Sequence, residues 1–296
     1  MEEQLRTGLV GAGPWARAIH APLLADHPGI RFTSVHTRRI EAGRELASPY
    51  CAEAYDDFDQ FLSTVDAVAF AVPPEVQGEL ALRAATAGKH VILEKPIAGS
   101  LEQAERLADA VEGAGVASLV VLTRRFAAET QEWLAGIGRA GDWTGGSAKW
   151  FSGALLGGDY STSAWRHSGG ALADIGPHMF DLLDAALGEI TEVLAAKHEA
   201  ATDLWHVMFG HSGGAVSTAS LSMRMPVRPT LWQISVYGEH GYRELSNNNA
   251  TGADCYTALL DDFLAMIHSG TSEHPCDVRR GLHLQRLLHE VRHRAE

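Results

Sequence analysis

The feature that most limits the architecture lies near the amino terminus. A short apolar run, Leu5–Val10, flows directly into Gly11-Ala12-Gly13-Pro14-Trp15-Ala16, and a helical pattern then carries through Ala18, Ile19, Leu23 and Leu24. Strand, glycine turn and helix in this order open a doubly wound parallel sheet. Each small residue has a mechanical reason. Gly11 permits the tight turn, Gly13 lets backbone approach a pyrophosphate, and Ala16 allows the helix to pack close to the strand.

The next strand is predicted over residues 31–37. A dinucleotide-binding domain that takes NAD carries an acid near this strand's end, for the ribose hydroxyls. Here the chain reads His36-Thr37-Arg38-Arg39, with no acid until Glu41. A carboxylate would repel a 2′-phosphate, whereas a hydroxyl and two guanidiniums would bind it. NADP(H) is therefore expected ahead of NAD(H); the plain alternative is two solvent-facing arginines at a helix start.

Alternation continues. A buried-type strand over 67–72 ends at Pro73-Pro74, where a prolyl pair stops the ladder and leaves a loop. A helix over 75–87 stops at Gly88, a strand over 90–93 ends in Glu94-Lys95-Pro96, a helix covers 101–112, and a sixth strand covers 118–122. Charges at a strand's carboxyl end, as at Glu94 and Lys95, lie where ligands bind in such sheets.

After residue 122 the pattern changes. A helix near 127–134 precedes a Trp-Arg and Gly-Gly segment at 165–181, and extended stretches follow at 190–196, 204–209, 215–223 and 231–237. Breaks such as His211-Ser212-Gly213-Gly214 read as hairpin turns, so the second half is expected to be α+β on a mostly antiparallel sheet. Helices at 256–268 and 282–294 close the chain. The expected division is a dinucleotide-binding domain at 1–122 and a substrate-binding and oligomerisation domain at 123–296. The last helices are free to pack back on the first domain.

Segment 165–181 reads WRHSGGALADIGPHMFD. As a single helix, spacings of four and three put Asp174, His178 and Asp181 along one face. A carboxylate one turn from an imidazole is a proton-transfer pair. His with carboxylates also ligates zinc or iron. The same residues on a surface helix do neither.

Composition narrows the class. The chain has 296 residues and a formal net charge of −13, which disfavours a nucleic-acid partner because clustered Lys and Arg are absent. No apolar run approaches the ~20 residues of a membrane span, and the acidic start lacks a secretory core. Three widely separated cysteines, Cys51, Cys255 and Cys276, form no CxxC and fit a reduced cytoplasmic setting. His283, His289 and His293 stand at i, i+6 and i+10, which fits no compact ligand set, so no metal is expected.

Taken together, the glycine turn, Gly88-Lys89-His90-Val91 leading to Glu94-Lys95-Pro96, Arg125-Phe126, the WR…GGxLxDxGxHxxD of 165–181 and Gly281-Leu282-His283-Leu284-Gln285 resemble the Gfo/Idh/MocA oxidoreductases. The resemblance implies a Rossmann domain, hydride transfer between nicotinamide and a carbinol or carbonyl carbon of a sugar, polyol or similar small molecule, and a homodimer or homotetramer. It implies Lys95, Asp174 and His178 as catalytic residues, with Lys95, Arg166, Asp174 and His178 meeting substrate. Cofactor contacts are implied at Gly11, Ala12, Gly13, Pro14, Trp15, Ala16, Thr37, Arg38, Arg39, Val72, Pro73, Pro74, Gln77, Glu94, Lys95, Thr123, Trp165 and Arg166. A cis peptide is implied before Pro96. Either Lys95 or His178 could carry the proton. Two departures stand out: Gln77 replaces the family's usual His, and the stretch from Arg166 to Gly169 is short. Within the same superfamily an NAD-dependent glycosidase, or a non-catalytic dinucleotide sensor, is the alternative. Thr37-Arg38-Arg39 argues against the first and the set Lys95, Asp174 and His178 against the second.

Overall fold

The computed structural model describes residues 4–157, 161, 163–246 and 250–296. The chain divides into two compact units, Met1–Thr123 with Thr251–Gln285, and Arg124–Ala250 with Arg286–Glu296.

In the first unit β1 (Leu5–Val10), β2 (Ile30–His36), β3 (Glu53–Tyr55), β4 (Ala67–Phe70), β5 (His90–Leu93) and β6 (Ser118–Val120) form a parallel sheet of order β3-β2-β1-β4-β5-β6. This is the doubly wound sheet expected. The order reverses between β1 and β4, so the space beyond their carboxyl ends is the ligand crevice by topology. Helices cover both faces of such a sheet, which is why all four residues of β4 are buried. Strand β3 and the helix Phe58–Ser63 escape a sequence reading because they are too short to show a period. Asp57 starts that helix by accepting from the backbone N–H groups of Asp59 and Gln60, both at 2.9 Å. The segment Thr251–Gln285 ties to β6, where Val120 N donates to Cys276 O at 2.8 Å.

Two imidazoles of this unit, His36 buried and His90 half-buried, make its stability depend on pH. His36 packs edge-on against Phe58 at 5.1 Å, and burial holds its pKa below the ordinary 6.5. His90 accepts from Ala117 N through Nδ1 at 2.9 Å, and burial lowers it as well. A folded-state pKa below the unfolded value means the unfolded chain binds more protons near and below pH 6.5. The contribution is therefore complete above that pH and is lost as pH falls through the folded values. The urea midpoint is expected to drop on acidification from about pH 7. His90→Asn, which keeps an acceptor but cannot titrate, should flatten that slope; an unchanged slope would contradict the assignment.

In the second unit β7 (Trp143–Phe151), β8 (Ile190–Glu199), β9 (Leu204–His211), β10 (Val216–Ser222), β11 (Leu231–Gly238) and β12 (Gly241–Ser246) run in the order β12-β11-β7-β10-β9-β8. All pairs are antiparallel except β10 with β7, giving the mostly antiparallel sheet expected. The hairpin at His211 is present, with Gly214 N donating to His211 O at 2.9 Å. Strand β7 is not among the extended stretches expected from the sequence; it carries Gly145-Gly146, a residue type that weakens strand interiors. In place, a Cβ on Gly145 would stand 2.5 Å from Val216 O and one on Gly146 2.6 Å from Ser235 O. The glycines are what let the strands flanking β7 approach. One face of the sheet is covered by the helix Gly176–Leu187; the other leaves Leu194, Met208, Val216 and Tyr237 exposed. Among the described residues no helix is long and apolar enough to cross a membrane.

Candidate functional site

The glycine turn of the first unit lies flat on the ends of β2 and β4. Gly11, at φ +112°, donates its N–H to His36 O at 2.9 Å, and a Cβ there would meet Ala71 O at 2.4 Å. Above Gly13 a Cβ would meet nothing within 4 Å. The backbone is open there, as a cradle for a bulky anion requires. Ala12 is half-buried and Pro14 exposed, and Ala16 is wholly buried where the π-helical stretch Ala16–His20 begins. Such π turns recur at functional sites. Here the turn carries Trp15 and His20 toward the loop after β5.

Beyond β2, Thr37 is buried and its hydroxyl donates to Arg39 O at 2.7 Å. Its first role is thus to shape the turn. Arg38 and Arg39 are exposed, and neither pairs with a carboxylate among the described residues. Beyond β4, Val72 is half-buried, Pro73 exposed, and Pro74 buried at the start of the helix Pro74–Thr86.

Gln77, expected among the cofactor contacts, is fully buried and its carboxamide is engaged elsewhere. Its Nε2 donates to Glu94 O at 2.6 Å and Ile97 O at 3.0 Å, while its Oε1 accepts from Glu94 N at 2.9 Å. A side chain with both ends held this way shapes the lysine loop and has no face left for a dinucleotide. Glu94 points its carboxylate at Trp15 Nε1, 2.7 Å away, and His20 Nε2, 3.0 Å away. Lys95 follows, half-buried, with a cis peptide to Pro96 as the resemblance implied. Thr123 begins the 3-10 turn Thr123–Phe126 and ends the first unit's amino-terminal segment.

The second unit carries Trp165, Arg166, Asp174 and His178. The expectation of one helix through 165–181 needs correction. The helix Ala164–Asp174 is broken at Gly170 (φ +60°), and a separate helix, Gly176–Leu187, starts after Ile175. Asp174 therefore ends one helix and His178 sits in the first turn of the next. At the Gly170 kink stands Asp203, whose carboxylate accepts from Ala171 N at 2.6 Å and Trp205 Nε1 at 3.1 Å. A Cβ on Gly170 would stand 2.6 Å from Asp203 Oδ1, so the second glycine of the Gly-Gly pair is demanded twice, by its φ and by that carboxylate.

Asp174 is nearly buried and is engaged by Arg166, whose Nε donates to it at 3.0 Å while the guanidinium lies over the Trp165 ring at 4.6 Å. His178 is nearly buried and its ring stacks on Trp150 at 5.9 Å. Arg124 lies 5.3 Å from the Trp150 ring and 4.9 Å from that of Trp232, its cross-strand neighbour. Asp181, one turn along, is fully buried and accepts from Arg125 Nη1 at 3.0 Å. A solvent-facing helix is thereby excluded for this segment. His289 and His293 lie exposed, edge to face, at 4.9 Å on the last helix. Among the described residues no three His, Cys, Asp or Glu side chains gather to hold a metal ion.

His20, Tyr256, Arg124, Trp150 and Asp203 are the contributors that motif reading missed. Each acts across a long sequence separation. Only the histidine six residues beyond Pro14 offered a local signal, one turn past the glycine motif.

Comparison with known proteins agrees with this architecture. The oxidoreductase family with an NAD-binding Rossmann fold matches residues 5–122, and the GFO/IDH/MocA C-terminal domain matches residues 137–244. The chain belongs to the Gfo/Idh/MocA oxidoreductase family. It is 30% identical over 190 residues to D-glucoside 3-dehydrogenase of Escherichia coli, covering 62% of this chain and 54% of that protein. It is 28% identical over 200 residues to scyllo-inositol 2-dehydrogenase (NAD(+)) of Bacillus subtilis, covering 65% and 57%. The chain thus matches little more than half the length of these curated relatives. In fold it is similar to an oxidoreductase domain protein from Kribbella flavida, with a TM-score of 0.89 at 20% identity, covering 99% of this chain and 97% of that one.

Proposed function

We propose that this chain is an NADP(H)-dependent oxidoreductase that moves a hydride between nicotinamide and a carbinol or carbonyl carbon of a sugar, polyol or related small molecule. The observation that carries the proposal is the open backbone over Gly13 at the sheet's switch point, with the Glu94-Lys95 loop beyond β5 tied to the same turn. The sugar and inositol dehydrogenases among its relatives support the substrate class.

The bound dinucleotide supplies or accepts the hydride at nicotinamide C4. The chain's own residues manage charge and protons. Lys95, as an ammonium, stabilises negative charge developing on the reacting oxygen. In oxidation His178 takes the hydroxyl proton as the carbinol hydrogen leaves as hydride; in reduction it returns that proton to the alkoxide. Asp174 with Arg166 holds the helix end just before His178 and offers polar groups to a hydroxyl-rich substrate.

NADP(H) is favoured over NAD(H) because Arg38 and Arg39 present free guanidiniums where an NAD site would carry an acid. A charge-assisted hydrogen bond of about 1.5–3 kcal/mol corresponds to roughly 10–100-fold in affinity. Arg38→Ala is expected to raise the Kd for NADPH by that factor and leave NADH almost unchanged, as read by equilibrium fluorescence titration. Wild-type protein that binds NADH more tightly than NADPH would contradict the preference.

A further inference from the structure

Four side chains of the first unit form one hydrogen-bonded chain that begins in the core and ends beside Lys95. Tyr256 Oη lies 2.8 Å from His20 Nδ1, His20 Nε2 lies 3.0 Å from Glu94 Oε1, and Trp15 Nε1 donates to that same oxygen at 2.7 Å. Tyr256 and His20 are wholly buried.

The chemistry of the groups fixes where each proton sits. An indole N–H can only donate, and a carboxylate can only accept. A hydrogen on His20 Nε2 makes two donors converge on Glu94 Oε1, which suits a carboxylate. Were His20 an imidazolium, Nδ1–H would point at the phenol oxygen, and the phenol hydrogen would need another acceptor. Among the described residues the Tyr256 hydroxyl has no other within reach. So Nδ1 accepts and Tyr256 donates. Burial and the Glu94 charge beyond push the Tyr256 hydroxyl well above its ordinary pKa, which keeps that proton in place.

The two ends give the chain its purpose. Trp15 belongs to the glycine turn, between Gly13 and Ala16, and Glu94 immediately precedes Lys95. Gln77 grips the lysine loop only through its backbone and from the helix Pro74–Thr86. The Glu94 side chain is what joins that loop to the turn. A core histidine needing only satisfaction would be served by any polar neighbour; this one bridges a buried phenol to the carboxylate adjoining the lysine.

We propose that Tyr256 and His20 are positioning residues that hold Glu94 in one orientation, so that Glu94 and Trp15 lock the dinucleotide turn to the loop presenting Lys95. The proposal rests on the redox function proposed above for its effect on turnover, and on the geometry alone for its effect on dinucleotide binding.

The test uses the full chain. Nitrogen-15 histidine NMR, with His20 assigned by its loss in His20→Gln, is expected to show His20 neutral, protonated at Nε2 and accepting at Nδ1 near neutral pH. His20→Gln keeps an N–H close to the Nε2 position and should retain NADPH affinity and turnover. His20→Leu and Tyr256→Phe should each lower turnover by at least about tenfold and weaken NADPH binding, with substrate KM little changed. Tyr256→Phe fills the same space, so it reports even where His20→Leu fails to fold. A His20 protonated at Nδ1, or a Tyr256→Phe variant with the wild-type Kd for NADPH, overturns the proposal. Both readouts are free of turnover: protein that binds NADPH but converts no substrate would sink the redox function and leave these two measurements to judge the relay.

Discussion

Replacing Lys95 by alanine, or His178 by alanine, is expected to lower turnover by about 100-fold or more while NADPH affinity is nearly kept. The two losses have different physical origins. Without the Lys95 ammonium, charge developing on the reacting oxygen has to be met by reorganising solvent in place of a fixed cation. Without His178, the proton has no positioned acceptor as the carbinol hydrogen departs. Neither substitution touches the open backbone over Gly13 or the guanidiniums of Arg38 and Arg39, which is why binding should survive. The pair is read by steady-state NADPH oxidation against a panel of carbonyl sugars, alongside an equilibrium Kd. Both variants turning over an identified substrate at the wild-type rate would remove these residues from the chemistry.

Asp181→Ala is expected to cost about 3–5 kcal/mol of stability, because it strands the Arg125 guanidinium in a nearly dry site. The carboxylate is fully buried and receives Nη1 at 3.0 Å, and the arginine side chain is only 10% exposed. Solvent screening, which makes surface ion pairs nearly worthless, has little access here. The penalty comes from the orphaned charge more than from the lost attraction. A double replacement, Asp181→Leu with Arg125→Met, should therefore recover most of the loss. Urea unfolding of the three proteins checks this; a double variant as unstable as Asp181→Ala would show that the ion pair has a further structural duty. Asp181 lies three residues beyond His178 on the helix Gly176–Leu187, so the same pair anchors the segment that presents the imidazole.

What the sequence disclosed and what it withheld follow from the range of the interactions involved. The glycine turn, the parallel sheet and the lysine at the end of β5 are written in contiguous residues, where small side chains and apolar runs have a local cause. The kink at Gly170 is not local. It depends on Asp203, over thirty residues downstream, whose carboxylate occupies the space a Cβ at Gly170 would need. A periodicity argument has no means of finding that partner, and the boundary at Ile175 that separates Asp174 from His178 is a further interruption it does not register. Strand β7 was hidden for the opposite reason: glycines that mark turns in a hairpin here admit close strands on both sides. Tyr256 and His20 are 236 residues apart, and the contact exists only once the carboxy-terminal segment has joined the first unit. Gln77 shows a milder failure. Its place after β4 was legible, but its burial, and with it its service to the loop backbone, was not.

The claim on which the account turns is that this chain carries a hydride from nicotinamide to substrate carbon. NADPH deuterated at C4 and incubated with the wild-type protein and carbonyl sugars measures this directly, by mass spectrometry of the alcohol formed. Deuterium on the new carbinol carbon, formed about 100-fold more slowly with Lys95→Ala, is the result expected. Protein that binds NADPH yet leaves every carbonyl in the panel without deuterium would contradict it.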